Sequence, residues 1–126
     1  PLSFKAHWTV LSFVLNACDA DCEAHLHALH NAHIATHKDK ARVQRVLVLP
    51  SDGRVPDVVG RIPELLVVRA SPETLSAITG SAKINSSTGV HLVDPRGFVF
   101  MRYAPDQSAA DVLKDLKQLL KISKVG

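Results

Sequence analysis

The two cysteines of this 126-residue chain are the side chains best suited to chemistry. Cys18 and Cys22 lie where a predicted strand passes into a predicted helix, and a helix that includes both places them on one face about 6 Å apart. This spacing suits a disulfide after a small adjustment, or joint binding of one soft metal ion. Because open α/β sheets place their sites at strand carboxyl ends, the pair is a candidate redox or metal site. A structural disulfide and two inert buried thiols are the alternatives.

The start of the helix assigns different roles to the two thiols. Open backbone N–H groups there favour a thiolate at Cys18, which is the expected attacking group, and Cys22 would resolve the mixed disulfide. Asp19 and Asp21 oppose this effect because they add negative charge beside the thiols.

Histidines offer the nitrogen donors that a metal site at the cysteines needs. Five of the seven fall in the helix predicted over residues 19–37: His25, His27, His30, His33 and His37. His25 follows Cys22 by one turn and is a candidate third ligand. His30, His33 and His37 also share a side of the helix, at a spacing that could hold a borderline metal, and His33 lies along the face that carries the cysteines. His91, on a predicted strand, is either another candidate ligand or a half-buried strand residue. Solvated rim positions are the alternative for the helical histidines.

The remaining pattern predicts one α/β domain over residues 1–126, with the order β-α-β-β-α-β-β-α. Strands are predicted at residues 8–15, 46–49, 65–68, 90–93 and 98–103, and helices at residues 19–37, at 71–80 and from 108 onward. A parallel βαβ unit, an antiparallel hairpin with Asp-Pro-Arg-Gly at its turn and a closing helix indicate a mixed sheet with helices on both faces. The basic residues between the first helix and the second strand are interpreted as a solvated connection: Lys38, Lys40, Arg42 and Arg45.

Composition excludes several function classes. The net charge is only +3, and one Trp and one Tyr are too few for a basic groove with stacking aromatics, so no nucleic-acid partner is expected. The chain has no phosphate-binding loop, dinucleotide fingerprint, zinc-protease motif or nucleophile elbow. Its apolar runs all fall short of the roughly 18 residues that span a bilayer.

Several segments resemble the Sco family of thioredoxin-fold copper proteins. They are the lead-in FKAHWTVL at residues 4–11, the CDADC motif at residues 18–22 and the hairpin HLVDPRG at residues 91–97. The tail at residues 111–126 is more similar to a group of small, membrane-anchored thioredoxin-like proteins that are encoded beside cytochrome oxidase assembly genes in proteobacteria. Together these segments cover about half of the chain.

The resemblance implies a thioredoxin-like fold on the periplasmic side of the inner membrane, held by an N-terminal anchor that we expect to precede Pro1. It also implies work on the copper site of cytochrome c oxidase. In the Sco family two cysteines and a distant histidine bind copper, and the cysteines also act as a dithiol; Cys18 and Cys22 match these positions. The histidine does not carry over, because Ser86 stands at its place, and Asp19 replaces the proline that usually follows the first cysteine.

Three functional hypotheses follow from the residues and the resemblance. The first is a copper-binding assembly factor in which Cys18, Cys22 and either His91, His25 or no third residue hold the metal. The second is a thiol–disulfide oxidoreductase with Cys18 and Cys22 as its catalytic residues. The third is a non-enzymatic interaction module that has lost copper binding. The expected partners are a cytochrome c oxidase subunit or other assembly factors.

Overall fold

A computed structural model describes residues 7–14, 18–74, 89–103 and 108–123 of the chain. Five strands lie within these residues: β1 at Trp8–Phe13, β2 at Val43–Pro50, β3 at Leu65–Ala70, β4 at Val90–Val93 and β5 at Val99–Tyr103. They form one sheet in the order β3-β2-β1-β4-β5. The first three strands are parallel, whereas β4 is antiparallel to β1 and β5 is antiparallel to β4. The predicted mixed sheet is therefore confirmed.

Two α-helices lie within the described residues, α1 at Ala20–Ile34 and α2 at Ala109–Ile122. Short 3₁₀ helices at His37–Arg42 and Asp57–Arg61 follow α1 and precede β3. The end of α1 comes earlier than the predicted His37, because His37 has a φ of 52°, which an α-helix does not accommodate. Neither α1 nor α2 combines the length and apolar character that crossing a bilayer needs.

Side chains of β1 alternate between two apolar clusters, which explains its nearly continuous hydrophobic sequence. Trp8 and Val10 face α1 and α2, where they pack with Leu29 of α1 and Leu116 of α2. Leu11 faces the other side of the sheet and packs in a second cluster. Val10 is 4% exposed and Leu11 is 1% exposed, so the sheet is covered on both faces at this strand.

Turn and cap signals in the sequence correspond to observed local structure. The amide of Gly97 donates to the carbonyl of Asp94 at 2.9 Å, which closes the predicted hairpin turn. The amide of Thr74 donates to the Ser71 hydroxyl at 3.2 Å, as expected at a helix start. The rest of the helix predicted at residues 71–80, the Leu15 end of the first predicted strand and Ser86 all lie outside the described residues.

Candidate redox site

Cys18 and Cys22 are joined in a disulfide, with an S–S distance of 2.01 Å and a Cα–Cα distance of 5.2 Å. The expected proximity of the two sulfurs is therefore confirmed. The expected reason is wrong in part, because Cys18 precedes α1 and only Cys22 belongs to its first turn. Both residues are half-buried, so the disulfide is neither sealed in the core nor fully exposed.

The sheet and α1 together hold the disulfide at the carboxyl end of β1. Both cysteines pack against an apolar cluster that includes Val14, Leu26 and Leu47. Val14 directly follows β1, and its amide donates to the carbonyl of Val48 at 3.1 Å. The site therefore lies at the carboxyl end of two adjacent parallel strands, which is where open α/β sheets place functional groups.

Asp19 caps the helix between the two cysteines. Its carboxylate accepts a hydrogen bond from the amide of Cys22 at 2.9 Å, and its carbonyl accepts one from the amide of Glu23, also at 2.9 Å. Glu23 forms a 3.3 Å ion pair with Arg61 of the second 3₁₀ helix. The N–H groups expected to favour a thiolate are thus partly engaged by Asp19, which fixes the backbone around Cys22 instead.

A cavity of about 220 Å³ lies beside the disulfide, between the carboxyl end of β1, the start of α1 and the start of β4. Ser12, Asp21, Cys22, His25 and Val90 are among its lining residues. Because Asp21 is exposed, the cavity borders solvent and gives a small group access to the Cys22 side of the disulfide.

His25 is the histidine that lines this cavity. Its Nε2 atom is buried and has no hydrogen-bond partner among the residues that the structure describes. Burial lowers the pKa of His25 below its usual value, so the imidazole is neutral at neutral pH. The site therefore combines a disulfide with a neutral imidazole whose buried nitrogen is unengaged.

His91 is not a third ligand, contrary to one of the sequence-based expectations. It pairs with Leu11 in the sheet, so its side chain lies on the face opposite α1 and the cysteines. There its ring packs edge-on against Phe13, with the ring centroids 5.1 Å apart. Burial and the neighbouring Arg102 lower the pKa of His91 to about 4. Strand register, rather than sequence distance, separates His91 from the disulfide.

His33 has a structural role that excludes the predicted ligand set at the end of α1. Its Nδ1 accepts a hydrogen bond from Nε of Arg45 at 3.0 Å, so its Nε2 donates to the carbonyl of Lys40 at 2.9 Å. Arg45 in turn donates to the carbonyl of Pro63 at 2.5 Å. Both ring nitrogens of His33 are thus engaged, while His37 is exposed.

The interpretation of the basic residues before β2 as a solvated connection is wrong for two of its four members. Arg45 is only 2% exposed and is bonded to His33, and Arg42 donates to the carbonyls of Leu120 and Ser123 at the end of α2. Val43, Arg45 and Leu47 are two residues apart along β2 and therefore share one face of the sheet. This spacing is the sequence signal that places Arg45 on the buried face toward α1.

The seven histidines and both cysteines all fall within the described residues. Across those residues, no group of three or more His, Cys, Asp or Glu side chains is arranged to hold a metal ion. The two-cysteine, one-histidine donor set implied by the resemblance is therefore not assembled here, and the site does not fit copper held in that way.

A family model described as "Transmembrane-like, thioredoxin-like, C-terminal domain" matches residues 8–123. Among solved structures, copper-bound ScoI from Arabidopsis thaliana superimposes with a TM-score of 0.73 at 17% identity, covering 95% of this chain and 88% of that one. Apo Sco1 from Thermus thermophilus gives a TM-score of 0.70 at 22% identity, with 92% and 81% covered. Copper-bound yeast Sco1 gives 0.68 at 13% identity, with 95% and 82% covered.

These similarities establish the fold. The thioredoxin-like architecture expected from the sequence is confirmed, and the similarity to Sco structures extends over nearly the whole chain. No protein with a curated description matches this chain in sequence.

Proposed function

The chain belongs to the family of transmembrane-like, thioredoxin-like C-terminal domains, and we propose that it exchanges thiols and disulfides with a partner protein through Cys18 and Cys22. The observation that carries the proposal is that both cysteines of the disulfide at the carboxyl end of β1 are only half-buried, so Cys18 is partly exposed, while a cavity that borders solvent lies on the Cys22 side. A purely structural disulfide needs no such access. A redox disulfide needs it, because a partner sulfur must reach one of the two sulfur atoms.

The proposed reaction runs from the reduced form of the chain to the disulfide that the structure describes. The Cys18 thiolate attacks one sulfur of a partner disulfide, which forms a mixed disulfide and releases the partner's other sulfur as a thiolate. Cys22 then loses its proton and attacks the Sγ atom of Cys18. The partner's second sulfur leaves as a thiolate, so two electrons have moved to the partner. An external dithiol reductant must restore the reduced chain.

The apolar packing beneath the cysteines supports this order of events. Val14, Leu26 and Leu47 hold the disulfide against the sheet, and the Asp19 cap fixes the backbone of Cys22. Cys18 packs against the same cluster but lies outside the helix, and the Asp19 side chain caps the amide of Cys22 rather than that of Cys18. Cys22 is therefore the sulfur held in place to resolve a mixed disulfide formed at Cys18.

The proposed setting follows the resemblance to the Sco family. We propose that the chain works on the periplasmic side of the inner membrane, held there by an N-terminal anchor, and that its partner is a cytochrome c oxidase subunit or another assembly factor. The shared fold with copper-bound Sco structures supports this setting. No step is assigned to copper, because His91 and His33 are both directed elsewhere.

Trapping of the mixed disulfide tests the proposed reaction. A reduced Cys22→Ser variant retains the attacking thiol and lacks the resolving one, so it should accumulate a covalent complex with a disulfide-containing substrate. The matched Cys18→Ser variant should form little or none. Absence of a complex with both variants would contradict the proposal, and equal trapping by both would contradict the assigned order.

A copper titration separates the redox proposal from the copper hypothesis. Cu(I) should bind the reduced wild type no more tightly than it binds other dithiols, because no group of three His, Cys, Asp or Glu side chains among the described residues is arranged to hold a metal ion. A stoichiometric, much tighter complex that the double Cys→Ser variant loses would favour the copper-binding assembly factor instead.

The packed and capped disulfide also supports the non-enzymatic interaction module as a second candidate. In that case the disulfide only fixes the loop before α1. A chain with Cys18→Ser and Cys22→Ser would then support oxidase assembly in cells as well as the wild type does, whereas the redox proposal expects assembly to fail.

A further inference from the structure

We propose that His25 is the acid–base group of the disulfide site, taking the proton from the Cys22 thiol in the resolving step and returning it in the reverse step. This inference rests on the proposed function, because it has no meaning if the two cysteines do not exchange. It assigns a proton-transfer role to a histidine that the copper hypothesis names as a candidate third ligand.

The placement of His25 carries the inference. It follows Cys22 by three residues on α1, so the two side chains are neighbours on the helix surface. Both line the same cavity of about 220 Å³. A proton can thus pass between Cys22 and His25 within a space that borders solvent and is lined in part by β1, α1 and β4.

Ring state and position together separate His25 from its neighbours on α1, because Nδ1 of His30 is also buried without a partner among the described residues but His30 does not line the cavity. Nε2 of His25 is buried and finds no hydrogen-bond partner in the described part of the chain, which costs free energy and leaves the atom available to accept a proton. In contrast, both nitrogens of His33 are engaged and His27 is exposed. The nitrogens of His91 also lack partners among the described residues, but the face of the sheet that His91 occupies has no cysteine.

The chemistry of the resolving step needs such a group. Cys22 attacks the Sγ atom of Cys18 only after it has lost its proton, and the neutral Nε2 of His25 is the acceptor at hand. One S–S bond forms between Cys18 and Cys22, the bond to the partner sulfur breaks, and the imidazole becomes an imidazolium. In the reverse step the imidazolium returns that proton to Cys22 as the sulfur leaves.

Few charged groups compete with this transfer. Around the cavity, the titratable residues on α1 and its cap are Asp19, Asp21, Cys22 and His25 itself. Among the described residues, those in or next to β1 and β4 that line the cavity carry no charge. Because the carboxylate of Asp19 is engaged by the amide of Cys22, Asp21 is the charged neighbour to control for.

Single-turnover kinetics of mixed-disulfide resolution test the inference. His25→Gln keeps a polar side chain of similar size but cannot take up the proton, so we expect resolution at neutral pH to slow by about 100-fold. The matched control is His27→Gln, an exposed position on the same helix, which should resolve at the wild-type rate. Asp21→Asn should change the rate far less than His25→Gln does.

The pH profile and chemical rescue distinguish acid–base action from a merely structural role. In the wild type the resolution rate should rise with pH only until His25 is neutral, and it should stay constant from just below pH 7 upward. In His25→Gln the rate should keep rising with pH until the Cys22 thiol itself ionises. Added imidazole should accelerate His25→Ala and leave the wild type unchanged. Wild-type rate and profile in His25→Gln would overturn the inference, as would a slow His25→Ala that imidazole does not rescue. A wild type that exchanges with no substrate would instead overturn the proposed function.

Discussion

The two ends of α1 use histidine in opposite ways. At its beginning, His25 lines a cavity beside the disulfide, and its buried nitrogen has no partner within residues 7–14, 18–74, 89–103 and 108–123. At its end, His33 is 4% exposed and uses both ring nitrogens, one to accept from Arg45 and one to donate to Lys40. Residue type is the same, and the helix is the same. The difference lies in whether neighbouring groups have already taken the hydrogen-bonding capacity of the ring.

This difference shows how a buried histidine can be assigned a role. A ring whose nitrogens are both engaged stabilises the fold, and here it compensates the burial of Arg45, which is only 2% exposed. A ring with an unengaged nitrogen beside a reactive pair retains the capacity to move a proton. Both histidines have a lowered pKa caused mainly by burial, so the pKa alone does not separate the two roles.

The largest effect is expected at the beginning of α1 from removing both sulfur atoms. Replacement of Cys18 and Cys22 by Ser should reduce disulfide exchange to the uncatalysed background, measured with a small disulfide substrate. Opening a disulfide with this short loop should also lower the free energy of unfolding by about 2 kcal/mol in denaturant titrations. The reduced wild type is the control and should lose stability by a similar amount. Exchange that persists in the double variant would contradict the assignment of the site.

Acid should destabilise the fold through His91, which is buried but remote from the cysteines. Its pKa of about 4 in the folded chain lies below its ordinary value of 6.5, so the unfolded chain binds the proton more readily. Stability should therefore fall as pH falls from 6.5 towards 4, by on the order of 3 kcal/mol from this residue.

The His91→Leu variant measures this contribution and tests whether a buried histidine far from the disulfide affects only stability. Its unfolding free energy should vary less steeply across the same pH range than that of the wild type, although His25 and His33 keep part of the slope. Its rate of disulfide exchange at neutral pH should equal that of the wild type. A large loss of exchange would show that an unengaged nitrogen affects the site even from the opposite face of the sheet.

A smaller effect is expected at the end of α1. His33→Ala removes the acceptor of Arg45 Nε and the donor to the Lys40 carbonyl, which should lower the free energy of unfolding by about 2 kcal/mol. Below its unfolding transition the variant should exchange disulfides at the wild-type rate. His27→Ala, at an exposed position within α1, is the control and should not lower the free energy of unfolding. Slow disulfide exchange in folded His33→Ala would show that the histidine at the end of α1 also affects the disulfide site, and would contradict its purely structural role.

Features that depend on local sequence were predictable. The proximity of Cys18 and Cys22 follows from a spacing of four residues, and the hairpin follows from the Asp94–Gly97 turn, where Asp94 also accepts from the amide of Phe98 at 3.0 Å. The parallel β1–α1–β2 unit follows from two apolar strands around one helix. In each case the interacting residues lie within one segment, so the amino-acid pattern contains the information.

Features that depend on register or on distant partners were not predictable. His91 lies in an apolar strand without alternation, so its face became known only from its pairing with Leu11. Arg45 was misinterpreted because its acceptors, His33 and the Pro63 carbonyl, come from other elements. His25 and His33 are both histidines on α1, and the sequence pattern does not distinguish their roles. Only the contacts around each ring show that His25 is available for chemistry and that His33 is fixed in the fold.

The reduction potential of the Cys18–Cys22 pair tests the central claim most directly. Equilibration of the purified chain with a thiol–disulfide buffer of known potential measures it, with the redox state followed by thiol alkylation. A pair that passes electrons to a partner should have a value between about −180 and −270 mV, the range of thiol–disulfide oxidoreductases. A value well below about −300 mV would mark a structural disulfide and contradict the account.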